Sequence, residues 1–354
     1  MNDRPSSPSE IDQTPRRIDW RCCVITAAVA STFGALAWIG GLPVPWLLGA
    51  LFGTAAFTLG GVRLGVPAPM KAAAHGCIGL ILGASIEPET FARAAQWPLT
   101  LLVLSVGMIF ITTICAVYYI RVAGFDRLTA TAASLTGGLT NIVAIAIQLG
   151  ANPPGTVIGQ LFRLTSVVVL LPLIYTHWLG ASAEVATMDA MKTLSSSNLW
   201  ILPLAWPAYF VARKCHLPVP DMMGPFLLSA GFAVAGYGIV LPDWLFAAVF
   251  LVVGTSIGAR FYGLKPQSLV RIGGHGAVAT FILLVSSAAV AYPFSLVAGV
   301  PFHVALLAVA PGGVAEIAIL ATVLGVDPVF VTFHQVFRNI VLNSAAPFVL
   351  SRLR

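Results

Sequence analysis

The strongest constraint on the fold is a series of twelve long apolar segments that fill the chain after residue 20. About 20 apolar helical residues cross the ~30 Å hydrocarbon layer of a bilayer, and in lipid every backbone polar group must be satisfied internally. The sequence therefore predicts an all-α polytopic membrane protein that is embedded in the lipid bilayer. The segments cover residues 22–41, 45–61, 73–86, 97–120, 128–150, 155–178, 197–212, 222–240, 244–259, 272–294, 303–325 and 329–350.

Composition agrees with this class. Charged residues make up 9% of the chain, against roughly a quarter of an ordinary soluble domain. The net charge of +6 is spread over short loops, so no nucleic-acid partner is expected. The five cysteines have neither metal-type nor disulfide-type spacing, and no cluster of His with carboxylates suggests a metal site. We expect no cofactor.

The chain contains an internal repeat with a single offset of 175 residues and no gap. We predict a cytoplasmic tail at 1–20, a first repeat at 21–180, a connecting loop at 181–196 and a second repeat at 197–354. Since the first apolar segment has a counterpart, we interpret it as a membrane helix rather than a cleaved signal peptide. The offset pairs the PVP motifs at 43–45 and 218–220, Gly49 with Gly224, Gly79 with Gly254, Gly83 with Gly258, Gly137–Gly138 with Gly312–Gly313, Gly150 with Gly325, Pro153 with Pro328, Gln160 with Gln335, Arg163 with Arg338, and Pro172 with Pro347.

Loop charges predict that the two copies have opposite orientations. Cytoplasmic loops are enriched in Lys and Arg. In the first copy the second and fourth junctions are basic, whereas in the second copy the first and third junctions are basic. The basic pattern is thus displaced by one crossing. The residues are Arg63, Lys71, Arg121 and Arg127 in the first copy, and Arg213, Lys214, Arg260, Lys265 and Arg271 in the second.

Inversion requires an odd number of crossings in each copy, although each copy has six apolar segments. We predict that 128–150 and 303–325 are re-entrant hairpins, because a central Gly-Gly interrupts each and glycine is unfavourable inside helices. Each copy then has about five transmembrane helices, and both termini are cytoplasmic in a multi-pass inner-membrane protein. The alternative keeps the Gly-Gly segments as unwound crossing helices and makes 73–86 or 244–259 the non-spanning piece.

Each copy places an arginine deep inside an apolar segment. Arg163 and Arg338 lie about eight and ten residues from the segment start, which corresponds to a depth of ~12–15 Å. Gln160 and Gln335 precede them by three residues and share their helix face. Inverted repeats with broken helices are typical of secondary transporters, and Arg forks and helix N-termini both favour anions. A structural ion pair or a backbone-capping role is the alternative.

The predicted substrate-binding residues are Arg163, Arg338, Gln160, Gln335, Gly137, Gly138, Gly312, Gly313 and Asn141. Asn141 corresponds to Glu316 in the other copy, and Glu316 is the one carboxylate within an apolar segment. We predict that Glu316, with His334, couples transport to a proton or sodium; a salt bridge from Glu316 to an arginine is the alternative. Thr136, Thr140, Gln148, Asn339 and Asn343 are candidates to line a polar cavity. His75 and His275 are interpreted as packing or interfacial residues.

The doubled motif set resembles the AbrB integral-membrane family over nearly the whole chain after residue 20. The set comprises Gly-Gly, Gly-x-(Asn/Asp)-Pro and Gln-x-Phe-Arg, each preceded by PVP and Gly-x-x-x-Gly. The resemblance implies two conflicting functions, ammonia monooxygenase and regulator of aidB expression. An oxygenase metal centre would need ligands that this sequence lacks. Short loops leave no room for a DNA-binding module, so an effect on transcription would be indirect.

We therefore expect a secondary transporter or exporter of a small anionic metabolite, and not an enzyme. A membrane regulator acting indirectly or through partners is the alternative function. A second copy of the chain, in a homodimer, is a further possible partner.

Overall fold

The computed structural model describes residues 20–86, 97–178, 199–237, 242–264 and 266–353. Predictions for the tail, for the connecting loop and for Lys265 lie outside these ranges. Every regular element within them is helical, so the all-α prediction is confirmed. The helices are α1 (Trp20–Ile39), α2 (Pro45–Leu59), α3 (Ala68–Ala84), α4 (Trp97–Arg121), α5 (Arg127–Ser134), α6 (Leu139–Gln148), α7 (Pro153–Trp178), α8 (Ile201–Lys214), α9 (Pro220–Val234), α10 (Asp243–Gly258), α11 (Pro266–Ala298), α12 (Phe302–Val309), α13 (Val314–Val323) and α14 (Pro328–Ser351), with a 3-10 turn at Ala259–Phe261.

Five stretches are long and apolar enough to cross a membrane, in α1, α4, α7, α11 and α10 with its 3-10 extension. Together they confirm the membrane character of the chain. Four other helices, α2, α3, α8 and α9, have 14 to 17 residues, which is at or below the usual length of a crossing. The 24-residue α14 is long enough, but it carries His334, Gln335, Arg338, Asn339 and Asn343. The predicted total of ten crossings stays a prediction.

The repeat in the sequence is also a repeat in the secondary structure. At an offset of 175 residues, three helices of one half coincide at both ends with three of the other: α2 with α9, α5 with α12, and α6 with α13. The remaining four pairs share at least one end to within two residues. Even the strained positions recur, since Val44 and Val219 both adopt φ 48° ahead of a proline, a conformation that β-branched residues rarely take.

Six helices, α1 to α3 and α8 to α10, form one bundle that we call the scaffold bundle. The two halves exchange partners within it, because α3 packs on α9 and α2 packs on α10. A Cβ on Gly83 would collide with the α9 backbone at Phe226, and a Cβ on Gly258 would collide with the α2 backbone at Leu51. Small residues allow this close approach of helices, which explains the repeated Gly-x-x-x-Gly.

The other eight helices, α4 to α7 and α11 to α14, form the core bundle. Here α4 packs against α11, and α7 and α14 each support the short helices of their own half. The two bundles meet asymmetrically. Helix α3 packs against α13 and α14, whereas its counterpart α10 has no contact of similar extent with α6 or α7 in the described ranges.

Each Gly-Gly segment is broken as the sequence predicts. In the first hairpin the chain leaves α5 at Ser134 and resumes helix at Leu139, and in the second it leaves α12 at Val309 and resumes at Val314. We call residues 135–138 and 310–313 the hairpin tips. The Asn152 amide, after α6, donates to Thr129 Oγ1, at the start of α5, at 2.8 Å. The arms of the first segment therefore return to one level, so this segment is a hairpin and not a continuous crossing helix, and the second segment has the same helix bounds at the 175-residue offset.

Candidate functional site

The paired Gln and Arg residues hold the hairpin tips. Gln160 Nε2 donates to the Ala132 and Leu135 carbonyls at 2.6 and 3.2 Å. Arg163 donates to the Leu135 carbonyl at 2.7 Å and to Gln160 Oε1 at 3.1 Å. The last carbonyls of a helix lack intrahelical donors. Both side chains therefore satisfy the C-terminal end of α5 where the Gly-Gly break leaves it open.

The second copy repeats this arrangement with more bonds. Gln335 Nε2 donates to the carbonyls of Leu307, Ala308 and Ala310 at 2.9, 3.2 and 3.0 Å. Arg338 donates to the carbonyls of Ala310 and Gly312. The geometry thus gives both arginines the backbone-capping role that was the alternative to anion binding. Direct contact with an anion stays a prediction.

Both guanidinium groups are buried in the core bundle. Arg163 is 5% exposed and Arg338 is 2% exposed, and Nε of each has no hydrogen-bond partner. The positive charge of Arg163 repels that of Arg338. Within the described ranges neither guanidinium forms an ion pair with a carboxylate, so the salt bridge that was the alternative role of Glu316 is not formed. Two buried like charges without a counter-ion are costly, and a nearby anion would offset that cost.

The first hairpin tip is half-buried at its two glycines, contacts amide side chains and leads into an exposed helix start. Gly138 N donates to Asn343 Oδ1 at 3.2 Å, and Asn343 Nδ2 donates to Asn339 Oδ1 at 2.9 Å. Asn141, in the first turn of α6, is exposed, and no side chain caps this helix N-terminus. Thr140 and Gln148 are exposed on the same helix. An uncapped helix N-terminus beside amide side chains is suited to an anion.

The second hairpin tip is closed, and apolar residues replace the two asparagines that face the first tip. The residues that correspond to Asn339 and Asn343 are Leu164 and Val168, and both are buried. Glu316 is 8% exposed, and its carboxylate lies against Gly313, because a Cβ on that glycine would collide with Glu316 Oε2. A carboxylate in the first turn is favoured by the helix dipole. The position that is open in the first copy therefore holds an internal carboxylate in the second.

The His334 side chain contacts α4 and its own helix rather than either tip. Its Nε2 is 2.7 Å from Thr100 Oγ1 and its Nδ1 is 2.8 Å from the Phe330 carbonyl. Trp97 and Phe294 pack their rings against it, and its side chain is fully buried. These contacts tie α14 to α4. The predicted coupling role of His334 has no support from this environment and stays a prediction.

A family model described as "Transition state regulatory protein AbrB" matches residues 46–354, which include both hairpins and both scaffold helix pairs. The chain belongs to the AbrB family. A Bacillus subtilis (strain 168) relative named "Uncharacterized protein YhjN" is 25% identical over 347 residues, with 90% of each chain covered. An Escherichia coli (strain K12) relative named "Putative regulator AbrB" is 25% identical over 323 residues, with 89% of this chain and 90% of the relative covered.

A charged cluster that sequence reasoning missed lies beside the second hairpin of this AbrB-family chain. His75 Nδ1 is 2.6 Å from Asp221 Oδ2, which links α3 to α9. The interpretation of His75 as a packing or interfacial residue did not include this partner. Lys71, one turn earlier on α3, interacts electrostatically with Arg260, Glu316 and Asp221. The sequence could have indicated this cluster, because its members align with aromatic residues in the other copy of the repeat. The counterparts of Lys71, His75 and Asp221 are Phe246, Phe250 and Trp46.

Two other features of the AbrB-family chain lie apart from the hairpins. A cavity of about 210 Å³ is lined by α1, the loop before α3, and α10, mostly with apolar side chains such as Ala27, Met70 and Leu251. It includes none of the predicted site residues. The described ranges also contain no group of three His, Cys, Asp or Glu side chains suited to a metal ion.

Proposed function

We propose that this protein is a secondary transporter of a small anionic metabolite, and that the anion binds at the first hairpin tip. The observation that carries the proposal is the difference between two equivalent tips. One is half-buried at its glycines, leads into an exposed and uncapped helix start at Thr140 and Asn141, and is faced by Asn339 and Asn343. The other is buried and holds the Glu316 carboxylate against its own helix N-terminus. Arg163, which bonds to Leu135 of the first tip, provides a positive charge behind the site.

The proposed transporter has inverted repeats. From Gly79 to Gly83 along α3, the contacts move from Met222 to Phe226 along α9, so these helices run parallel. Helices α2 and α3 are joined by residues 60–67, and we propose that they cross in opposite directions. Helix α2 then also opposes its counterpart α9, which is the inversion that the loop charges predict.

Within this arrangement the two hairpins are re-entrant from opposite sides of the inner membrane, and both chain termini are cytoplasmic. The first hairpin enters from the cytoplasm. Its exposed α6 face then lines an inward-open vestibule, while the buried α13 closes the outward route. Transport exchanges these roles, because the repeat allows α10 to cover α6 once α3 has left α13. The substrate alternates between the two sides at the bilayer midplane.

The test is flux in proteoliposomes that contain the full-length protein. The probes are labelled acetate, succinate, citrate and inorganic phosphate. We expect uptake of at least one probe, and Asn343→Leu should lower that uptake by roughly tenfold, since a lost hydrogen bond to a charged group costs about 1.5–3 kcal/mol. The control is Ser344→Ala, the exposed neighbour on α14. Uptake of none of the probes, or equal uptake by both variants, would contradict the proposal.

A membrane regulator of gene expression is the second candidate, and its support is the name of the Escherichia coli relative, "Putative regulator AbrB". Such a regulator would act indirectly or through partners. It predicts a transcriptional phenotype of a deletion strain that a double variant, Arg163→Gln with Arg338→Gln, still complements. A transporter whose metabolite controls transcription predicts that this variant fails to complement. Folded protein in the membrane fraction must be equal in both strains.

A further inference from the structure

We propose that Glu316 is a proton-binding site and that its carboxylate, through Lys71, forms an electrostatic latch that holds the second hairpin against the scaffold bundle. The inference rests on the proposed function, since it names the coupling ion and the element that this ion controls. It adds Lys71, Asp221 and His75, whose role lies in the latch and not in anion binding.

The location of the latch follows from the asymmetry between the bundles. Helix α13 packs against α3, while the equivalent pair, α6 and α10, has no such contact in the described ranges. Glu316 and Lys71 are the opposite charges on the two helices of that contact, and the Glu316 carboxylate attracts the Lys71 ammonium without a direct ion pair in the described ranges. Their counterparts on α6 and α10, the pair without such a contact, are Asn141 and Phe246, which carry no charge. The helix pair that carries the opposite charges is therefore the pair that has this contact.

The surroundings of Lys71 make the attraction reversible. Lys71 is attracted by two carboxylates, Glu316 and Asp221, and repelled by Arg260. Asp221 is also bound by His75 at 2.6 Å, so it stays in place on the scaffold. When Glu316 takes up a proton from water it becomes a neutral carboxylic acid and no longer attracts Lys71. The ammonium group then keeps Asp221 as its partner, and α13 is free to leave α3.

The other charges near Glu316 favour a proton over sodium. Helix α14 contributes Arg338 and His334, and α7 contributes Arg163, but these side chains are engaged by Gly312, by Thr100 and by Leu135 respectively. Lys71 is the cationic side chain that acts on Glu316 across the α3 contact, and Arg260 and Asp221 in turn act on Lys71. A sodium ion at Glu316 would be repelled by Lys71, whereas protonation only removes a charge.

The experiment measures opening of the second hairpin without any substrate. A cysteine replaces Ala315, which is 5% exposed next to Glu316, in an otherwise Cys-free full-length protein in proteoliposomes. Maleimide labelling is quenched at fixed times across about pH 5.5–8.5, and each rate is normalised to that of the exposed Ala144→Cys on α6. If opening takes up one proton, the open fraction rises by up to about tenfold per unit fall in pH.

We expect Glu316→Gln to give fast labelling at every pH, and Lys71→Gln to raise labelling at high pH. Lys214→Gln, an exposed lysine at the end of α8, should leave the profile unchanged. Glu316→Asp keeps the charge and should keep the pH dependence, which protects the test if the Gln variant does not fold. A profile that Glu316→Gln leaves unchanged, or labelling that depends on sodium at fixed pH, would overturn the latch.

The latch and the proposed function fail separately. Loss of the pH-dependent labelling in an otherwise active transporter refutes the latch alone. Intact pH-dependent labelling with no anion flux refutes the transporter and leaves the proton site. If both hold, Glu316→Gln should keep equilibrium exchange of the anion and lose uptake driven by a proton gradient.

Discussion

The exchange of helices between the two halves makes a sharp prediction about Gly83. Replacing it with Ala would place a Cβ 2.7 Å from Ala230 N and Ser229 Cβ, and closer still to the Phe226 carbonyl. These atoms belong to the backbone and a short side chain of α9, so they cannot rotate away. The helices must separate by roughly 0.5–1 Å to restore van der Waals distances of about 3.5 Å.

The expected cost follows from two opposing effects. Ala in place of Gly inside a helix gains about 1 kcal/mol from helix propensity. Overpacking a tight contact costs about 1–3 kcal/mol, and loss of the close α3–α9 approach adds to this. Gly83→Ala should therefore be destabilising by about 1–2 kcal/mol. Gly231→Ala on α9 has open space around its Cβ and should be neutral or stabilising by up to about 1 kcal/mol.

The assay is thermal unfolding of the purified protein in a mild detergent, followed by tryptophan fluorescence. Gly258→Ala provides an internal replicate, because its Cβ would lie 2.9 Å from Ala55 N and Thr54 Cβ in the equivalent contact. Both Gly83→Ala and Gly258→Ala should melt below the wild type, and Gly231→Ala should not. Equal melting of all three variants would refute the close packing of α3 on α9 and α2 on α10.

Three further predictions concern the arginines, the glutamines and the topology. Arg163→Lys or Arg338→Lys should retain weak transport, because lysine keeps the positive charge but not the paired hydrogen bonds of the guanidinium, while Gln at either position should abolish transport. Equal loss of folded protein in the Lys and Gln variants would show a purely structural role. Gln335→Leu should lower the melting temperature, since two buried carbonyls lose a donor at about 1–3 kcal/mol each, and unchanged melting would contradict the capping. A cysteine at His216 should react with an impermeant maleimide only from the cytoplasm and one at Gly299 only from outside; labelling of both from one side would exclude the inverted arrangement.

The sequence was sufficient for the repeat and for the breaks in it. Glycine pairs in an apolar segment have a local cost that does not depend on tertiary context, so the ends of α5 and α12 could be predicted to within a few residues. The prediction of a deep arginine with a glutamine on the same face was also a local inference. The hydrogen-bond partners of the arginines could not be predicted locally, because the carbonyls of Leu135 and Gly312 become acceptors only once the hairpins fold against α7 and α14.

The asymmetry between the tips was partly visible in advance. Aligning the two repeats at 175 residues pairs Asn343 with Val168 and Lys71 with Phe246. In each pair one residue is polar and its counterpart is apolar, so the sequence alone shows that the two repeats differ at these positions. The pairing of His75 with Asp221 could not be predicted, since the two lie 146 residues apart. Periodicity describes single helices, whereas this contact depends on which helices of the two halves become neighbours.

The exchanged packing of α3 on α9 also determines when the protein can fold during synthesis. The glycine face of α3 has its partner only after α9 has left the ribosome, about 140 residues later, which at typical rates of 5–20 residues per second is a delay on the order of 10 s. During that interval the first half is in the bilayer with an unfilled helix groove. A chain cut in the connecting loop should therefore assemble from two co-expressed fragments, while the first fragment alone should be degraded.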